Sequence, residues 1–134
     1  MLQLSKRVEY GLIALRHMAM HEKGTQFTAK ELSRIHDLPY ELLAKILQKM
    51  SKAGIIHSVQ GVKGGYILTK DPSSLNLSSV IQVIEDDKPM ITECYAEGPE
   101  SCDIFSSCSI RRPLGKVQRN INSVFDKLTI AEII

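Results

Sequence analysis

Three cysteines, Cys94, Cys102 and Cys108, stand within one fifteen-residue stretch, and the other 119 residues carry none. The stretch holds Gly98, Pro99 and several serines, with neither helical nor strand periodicity, so it reads as a loop. A thiol used for packing can sit anywhere in a core. Three on one irregular loop point instead to a shared partner, a metal or a cluster. Soft thiolates suit iron–sulfur clusters of either the 2Fe–2S or the 4Fe–4S type. Three of them leave one iron to a harder, weaker ligand, where oxygen, nitric oxide or loss of iron would act first. Zinc is the rival occupant, but its structural sites usually bring Cys-x-x-Cys knuckles, and the sequence has none. A metal-free thiol switch, with Cys102 and Cys108 pairing on oxidation, is the other alternative.

An enzyme with a cysteine nucleophile would need a base beside it. The histidine nearest in sequence is His57, in a predicted strand, and no catalytic motif surrounds any cysteine, so the chain is not expected to be an enzyme. The odd cysteine count fits a disulfide scaffold poorly. The opening residues turn amphipathic at once, unlike a secretory signal, and no apolar run approaches the ~18 residues of a membrane span. These features predict a cytoplasmic protein, without membrane partners, that keeps its thiols reduced. Hydrophobic content of 43% is enough for a core, which excludes a disordered chain.

The elements that must position the loop are legible from spacing. Val8, Leu12, Leu15 and Ala19 predict a first helix from about Lys6 to Glu22, with Gly24 as its stop. Thr28 and Glu31 form a capping box for a short second helix with Ala29, Leu32 and Ile35 inward. His36-Asp37-Leu38 is the turn, and Pro39 fits the first position of a third helix that buries Leu42, Leu43, Ile46, Leu47 and Met50 and ends at Gly54. Two strands follow, Ile55–Val59 and Tyr66–Leu68, joined by the glycine-rich Gly61–Gly65 tip carrying Lys63. A helix-turn-helix followed by a basic-tipped hairpin is a winged helix. The rival reading of the tip, a phosphate-binding loop, lacks the Gly-Lys-Ser/Thr ending.

After the Asp71–Ser74 linker, Ser78 or Ser79 can cap a fourth helix carrying Val80, Ile81, Val83 and Ile84, which stops at 86–89. A long helix from near Ser109 carries Ile110, Leu114, Val117, Ile121, Val124 and Leu128 at spacings of three and four. A small winged helix has little need of it in its own core, so its expected use is a two-fold dimer seam. The predicted fold class is therefore mainly α with a small β-hairpin. Residues 1–72 form a winged helix-turn-helix, and residues 73–134 hold a cysteine segment (about 88–109) and a dimerisation helix (about 109–128).

Charge divides along the same line. Residues 1–70 hold eleven Lys/Arg against five Asp/Glu, a net of +6, and residues 71–134 hold six against ten, a net of −4. Only the first half suits a polyanion. On the third helix Tyr40, Glu41, Ala44, Lys45 and Gln48 line the outer face. Gln48 suits an adenine edge and Lys45 a guanine, and Lys49, Lys52 and the wing's Lys63 suit phosphates. A dimer would set its two recognition helices about 34 Å apart on double-stranded DNA, on a near-palindromic operator.

With these residues in place, the chain resembles the Rrf-type winged-helix regulators, of which IscR (cluster biogenesis), NsrR (nitric oxide) and RirA (iron) are well-known kinds. The resemblance covers nearly the whole sequence. It rests on Leu4-Ser-Lys-Arg-Val-Glu-Tyr-Gly-Leu12, the Ile46–Gly54 stretch, Val59-Gln-Gly-Val-Lys-Gly-Gly-Tyr66, the three cysteines and the closing Leu128-Thr-Ile-Ala-Glu-Ile133. It implies a homodimeric transcriptional regulator holding an iron–sulfur cluster on Cys94, Cys102 and Cys108, near the partner's first helix. IscR-like members place a histidine three residues after the third cysteine, where this chain has Arg111, which cannot ligate. Other members take a carboxylate just before a Tyr-Gly pair in the partner's first helix; here that residue is Glu9, before Tyr10-Gly11, and it is the implied fourth ligand. The cysteine spacing looks most like the iron-responsive members. Ala44 stands where IscR-like members use a discriminating glutamate, and Gln60 where a wing arginine is common, so operator preference should differ.

Overall fold

The computed structural model describes residues 2–87 and 89–134. Lys88, at the start of the expected cysteine segment, lies outside the described residues, as does Met1. Six helices and one hairpin follow in order: α1 (Lys6–Ala19), α2 (Ala29–His36), α3 (Tyr40–Lys52), β1 (His57–Val59), β2 (Gly65–Ile67), α4 (Leu77–Glu85), α5 (Glu93–Ala96) and α6 (Arg111–Lys127). The fold is mainly α with one small antiparallel hairpin, as the sequence predicts.

Local chemistry explains most boundaries. Ser5 caps α1 through the Val8 N–H, and the helix ends at Ala19, short of Glu22. Past that point His21, Glu22 and Lys23 are exposed and Gly24 takes a positive φ, so nothing packs to extend it. The Thr28–Glu31 capping box forms as expected. Asp37, in the left-handed region at φ 54°, closes α2 and turns the chain into α3. Pro39 stands at the N-cap of α3 rather than one residue inside it. For α4 the cap is Asn76, whose Oδ1 accepts the Ser79 N–H at 2.8 Å; Ser78 and Ser79 lie within the first turn. The asparagine wins because a helix starting at Leu77 buries Leu77 as well as Val80, Ile81 and Ile84.

Apolar faces of α1, α3 and α4 make the core, with Leu15, Leu32, Leu43, Ile46, Leu47, Met50, Ile84 and Ile130 fully buried. Gly11 lets the helices meet: a Cβ there would lie 2.4 Å from Ile84 Cδ1 and 3.3 Å from Ile46 Cγ2. Ile35, expected inward, is 57% exposed, because the short α2 docks through Leu32 alone at full burial. The hairpin pairs His57 with Ile67, Ser58 with Tyr66 and Val59 with Gly65. Ile55 and Ile56 are buried before the strand begins, so β1 is shorter than expected. Phe27 adds a bridge to Tyr66 with bonds of 2.9 and 2.8 Å, tying the wing to the α1–α2 connection. Gly65 is required there, since it has φ +132° and a Cβ would sit 2.9 Å from the Phe27 carbonyl oxygen.

Beyond α6 the chain returns to the core. Ile130 donates to the Leu75 carbonyl at 2.8 Å, Leu77 donates to the Leu128 carbonyl at 2.9 Å, and Ile130 is fully buried. Arg16 Nε on α1 donates to the Ile133 carbonyl at 3.2 Å, which ties this closing segment to the first helix.

Candidate functional site

Two surfaces carry the residues singled out by sequence. On the first, α3 presents Tyr40, Glu41, Lys45, Gln48 and Lys52 to solvent, with Ala44 half-buried. These positions share a face because the opposite face, Leu43, Ile46, Leu47 and Met50, is locked in the core. The wing tip exposes Gln60, Val62 and Lys63, and Gly61, Gly64 and Gly65 all take positive φ to make its tight reversal.

Lys49, expected at a phosphate, also makes contacts within the chain. Its ammonium donates to the Ile84 carbonyl at 3.2 Å and to Asp86 at 2.8 Å, where it caps the C-terminus of α4. The bond from Lys49 holds the Asp86 carboxyl below its ordinary range. This lysine fastens α3 to α4, a role its place in a lysine-rich helix did not signal.

The second surface is the cysteine segment. It is not a featureless loop: α5 holds Cys94, and two short 3₁₀ turns, Pro99–Ser101 and Phe105–Ser107, each end at a cysteine, Cys102 and Cys108. All three thiols are free and half-buried. Cys94 Sγ lies 3.3 Å from the Thr92 hydroxyl. Three side chains fix the segment to α6, and sequence reasoning had assigned none of them that role. Buried Gln118 accepts the Ile91 N–H at 2.8 Å and donates to the Pro89 carbonyl at 2.7 Å and to Asn122 at 2.9 Å. Tyr95 donates its phenol to the Arg111 carbonyl at 2.9 Å. Arg111 lays its guanidinium 4.1 Å over the Phe105 ring and donates to the Phe105 carbonyl at 3.4 Å, bracing the turn between Cys102 and Cys108. A glutamine between Val117 and Arg119 gave no sign of burial; a small residue at Gly115, three positions before it, was the available hint.

Glu9 lies on the first turn of α1, half-exposed and paired with Lys6 at 2.9 Å. That pair lies at the surface and leaves the carboxylate accessible. Within one chain the structure does not bring Glu9 and the cysteines together: among the described residues no three His, Cys, Asp or Glu side chains gather as a metal site. The donor set itself, three thiols on a braced segment, has the soft chemistry that an iron–sulfur cluster requires.

Between these parts lies an apolar cavity of about 460 Å³, lined by Leu4, Val8, Ile81, Met90, Ile121 and Phe125 among others, where the start of α1 meets α4, α6 and the neck of the cysteine segment. Among the described residues nothing covers the far side of α6. Ile110, Val117 and Val124, seven residues apart, are 53%, 45% and 54% exposed. No helix among the described residues is long and apolar enough to cross a membrane.

Comparison with known proteins agrees with this architecture. Among curated relatives, the regulator NsrR of Shouchella clausii is 24% identical over 133 residues, covering 99% of this chain and 89% of its own. Among solved structures, CymR, described as the global cysteine regulator of B. subtilis, superposes with TM-score 0.75 at 21% identity, covering 99% of this chain and 96% of its own. T. potens IscR superposes with TM-score 0.73 at 24% identity, covering 98% and 85%. The family model for Rrf2, an iron-dependent transcriptional regulator, matches residues 4–134. The winged helix, the cysteine segment and the closing helix therefore sit in one recognised frame, and the chain belongs to the Rrf2 family of transcriptional regulators, not to an enzyme family.

Proposed function

We propose that this chain acts as a cytoplasmic homodimer that binds a near-palindromic operator through α3 and the wing, and that an iron–sulfur cluster on Cys94, Cys102 and Cys108 controls that binding. The observation that carries the reading is the placement of three free, half-buried thiols on a segment braced against α6 by Gln118, Tyr95 and Arg111. Tyr40, Glu41, Ala44, Lys45 and Gln48 would face the major groove, and Lys52, Gln60 and Lys63 the backbone or the flanking groove. The stripe of Ile110, Val117 and Val124 supports a dimer seam, since heptad spacing keeps such residues on one side of paired helices.

Glu9 of the partner subunit would supply the fourth position, as a harder ligand than thiolate. A bound cluster would supply a redox- and iron-sensitive link between the cysteine segment and the partner's α1. The chain's own residues do the transmitting. Gln118 couples the neck of the segment to α6, and the bonds of Ser5 and Arg7 to Glu85, the latter at 2.7 Å, couple the start of α1 to α4. Lys49 couples α4 to recognition helix α3. With α6 packed against α4, these contacts would let a change in the segment reach the DNA-facing helix.

A thiol switch without a cluster is the second reading. It is favoured by Cys102 and Cys108 flanking a single short turn. Anaerobic purification followed by visible spectroscopy, iron and sulfide analysis, and operator binding with and without cluster separates the two. Near-stoichiometric iron and sulfide lost in Cys102→Ala supports the cluster. A colourless protein whose DNA affinity follows a Cys102–Cys108 disulfide supports the switch.

A further inference from the structure

Three of the chain's four histidines, His17, His21 and His36, meet away from both surfaces described above. His36 Nε2 on α2 lies 3.0 Å from His17 Nδ1 on α1. The two rings stand at 86° with centroids 4.9 Å apart. His21 follows His17 by one helical turn, and its ring centroid is 4.5 Å away. Its Nδ1 sits 2.6 Å from the His17 carbonyl oxygen, which can only accept, so the Nδ1 is the donor. That arrangement is the one by which metal-ligating histidines are commonly oriented. Phe27 presses edge-on against both His17 and His21, at 4.9 and 5.1 Å, and gives the cluster one apolar wall.

The separation of the first pair is informative. Two imidazole nitrogens bound to one zinc-like ion at ~2.0–2.1 Å stand roughly 2.9 Å apart at a right angle and roughly 3.3 Å apart at the tetrahedral angle. The observed 3.0 Å falls inside that interval, with the two donors coming from different helices. Partial burial, with His21 and His36 beside it, lowers the pKa of His17. Two donors are preset and a third is near; no group of three is already closed among the described residues.

We propose that His17 and His36, with His21 beside them as the third imidazole, bind one imidazole-preferring divalent transition-metal ion that ties α1 to α2, the first helix of the helix-turn-helix. This site is separate from the cysteine segment and does not depend on a cluster there. Metal bound at this junction would hold α2 in its docked position, where only Leu32 is fully buried.

Cobalt titration of the full chain tests the proposal, because ligand-field bands report nitrogen ligation and thiolate ligation adds charge-transfer absorption. The expected result is one equivalent of cobalt bound without thiolate charge transfer. The affinity should fall about tenfold or more in His36→Gln and in His17→Gln, at least the loss caused by removing a supporting contact in metal sites, and should be retained in Cys102→Ser. Circular dichroism confirms that the variants fold. Should the half-buried positions fail that control, the exposed His21→Gln carries the test, and its cobalt affinity must also fall. Cobalt bound only through the cysteines, binding unchanged by the histidine substitutions, or no binding at all would overturn the site and leave an ordinary imidazole hydrogen bond.

Discussion

Gln118 Oε1 accepts the backbone N–H of Ile91 at 2.8 Å, joining the buried face of α6 to the neck of the cysteine segment across twenty-seven residues. The same amide donates to Pro89 and Asn122, so both of its ends are satisfied where the side chain is almost completely buried. Buried polar groups cost most when one partner is removed. Gln118→Leu should therefore lower stability by about 1–3 kcal/mol, read by urea unfolding. It should also loosen the segment, seen as faster amide exchange at Ile91. Unchanged stability would mean that the neck is held elsewhere.

Gly115 and Tyr95 make a steric pair. A Cβ on Gly115 would lie 2.6 Å from the Tyr95 phenol oxygen. Gly115→Ala should cost about 1–3 kcal/mol through overpacking. Adding Tyr95→Phe, which removes the clashing oxygen, should recover part of that loss. A double-mutant cycle measures the coupling; strictly additive effects would place the strain outside this pair.

Lys63 and Lys49 should behave differently on DNA although both are basic residues of the winged helix. Lys63 is exposed at the wing tip, whereas Lys49 is bound to Ile84 and Asp86. Lys63→Ala should weaken operator binding and reduce the salt slope by about one. Lys49→Ala should leave that slope nearly unchanged and act mainly on folding. Equal loss of slope in the two would mean that Lys49 leaves Asp86 to reach a phosphate.

The same ion pair sets a pH dependence. The hydrogen bond from Lys49 lowers the Asp86 pKa from its ordinary 3.8 in the folded chain. A carboxyl with a depressed folded pKa stabilises the fold above its unfolded value, and that contribution disappears as pH falls through the folded value. Stability of the native chain should thus fall below about pH 4 with a component that Lys49→Met removes. Acid unfolding curves of the two proteins check this. The carboxylate is exposed, so the component should be small and should shrink in salt.

Val117→Glu should convert a dimer to a monomer with little loss of monomer stability. Val117 is 45% exposed and midway along the stripe from Ile110 to Val124. Sedimentation velocity distinguishes the states, and an unchanged dimer would move the seam off this face of α6.

The sequence determined most of the architecture by itself. Periodicity, the Thr28–Glu31 box, the glycines of the wing and the spacing of the α6 apolar residues are local signals, because helix and turn preferences act over a few residues. They were enough for the winged helix and the long closing helix, but not for α5 and the short turns of the cysteine segment. Tertiary structure decided what those signals leave open. Asn76 rather than Ser78 or Ser79 caps α4 because the core gains Leu77. Ile35 turns outward because α2 is too short to bury two rows. Lys49 pairs with Asp86, Gln118 is buried against Pro89 and Ile91, and His17 meets His36. Each of these pairings joins residues nineteen or more positions apart, where chain packing, and no local preference, sets which side chains meet.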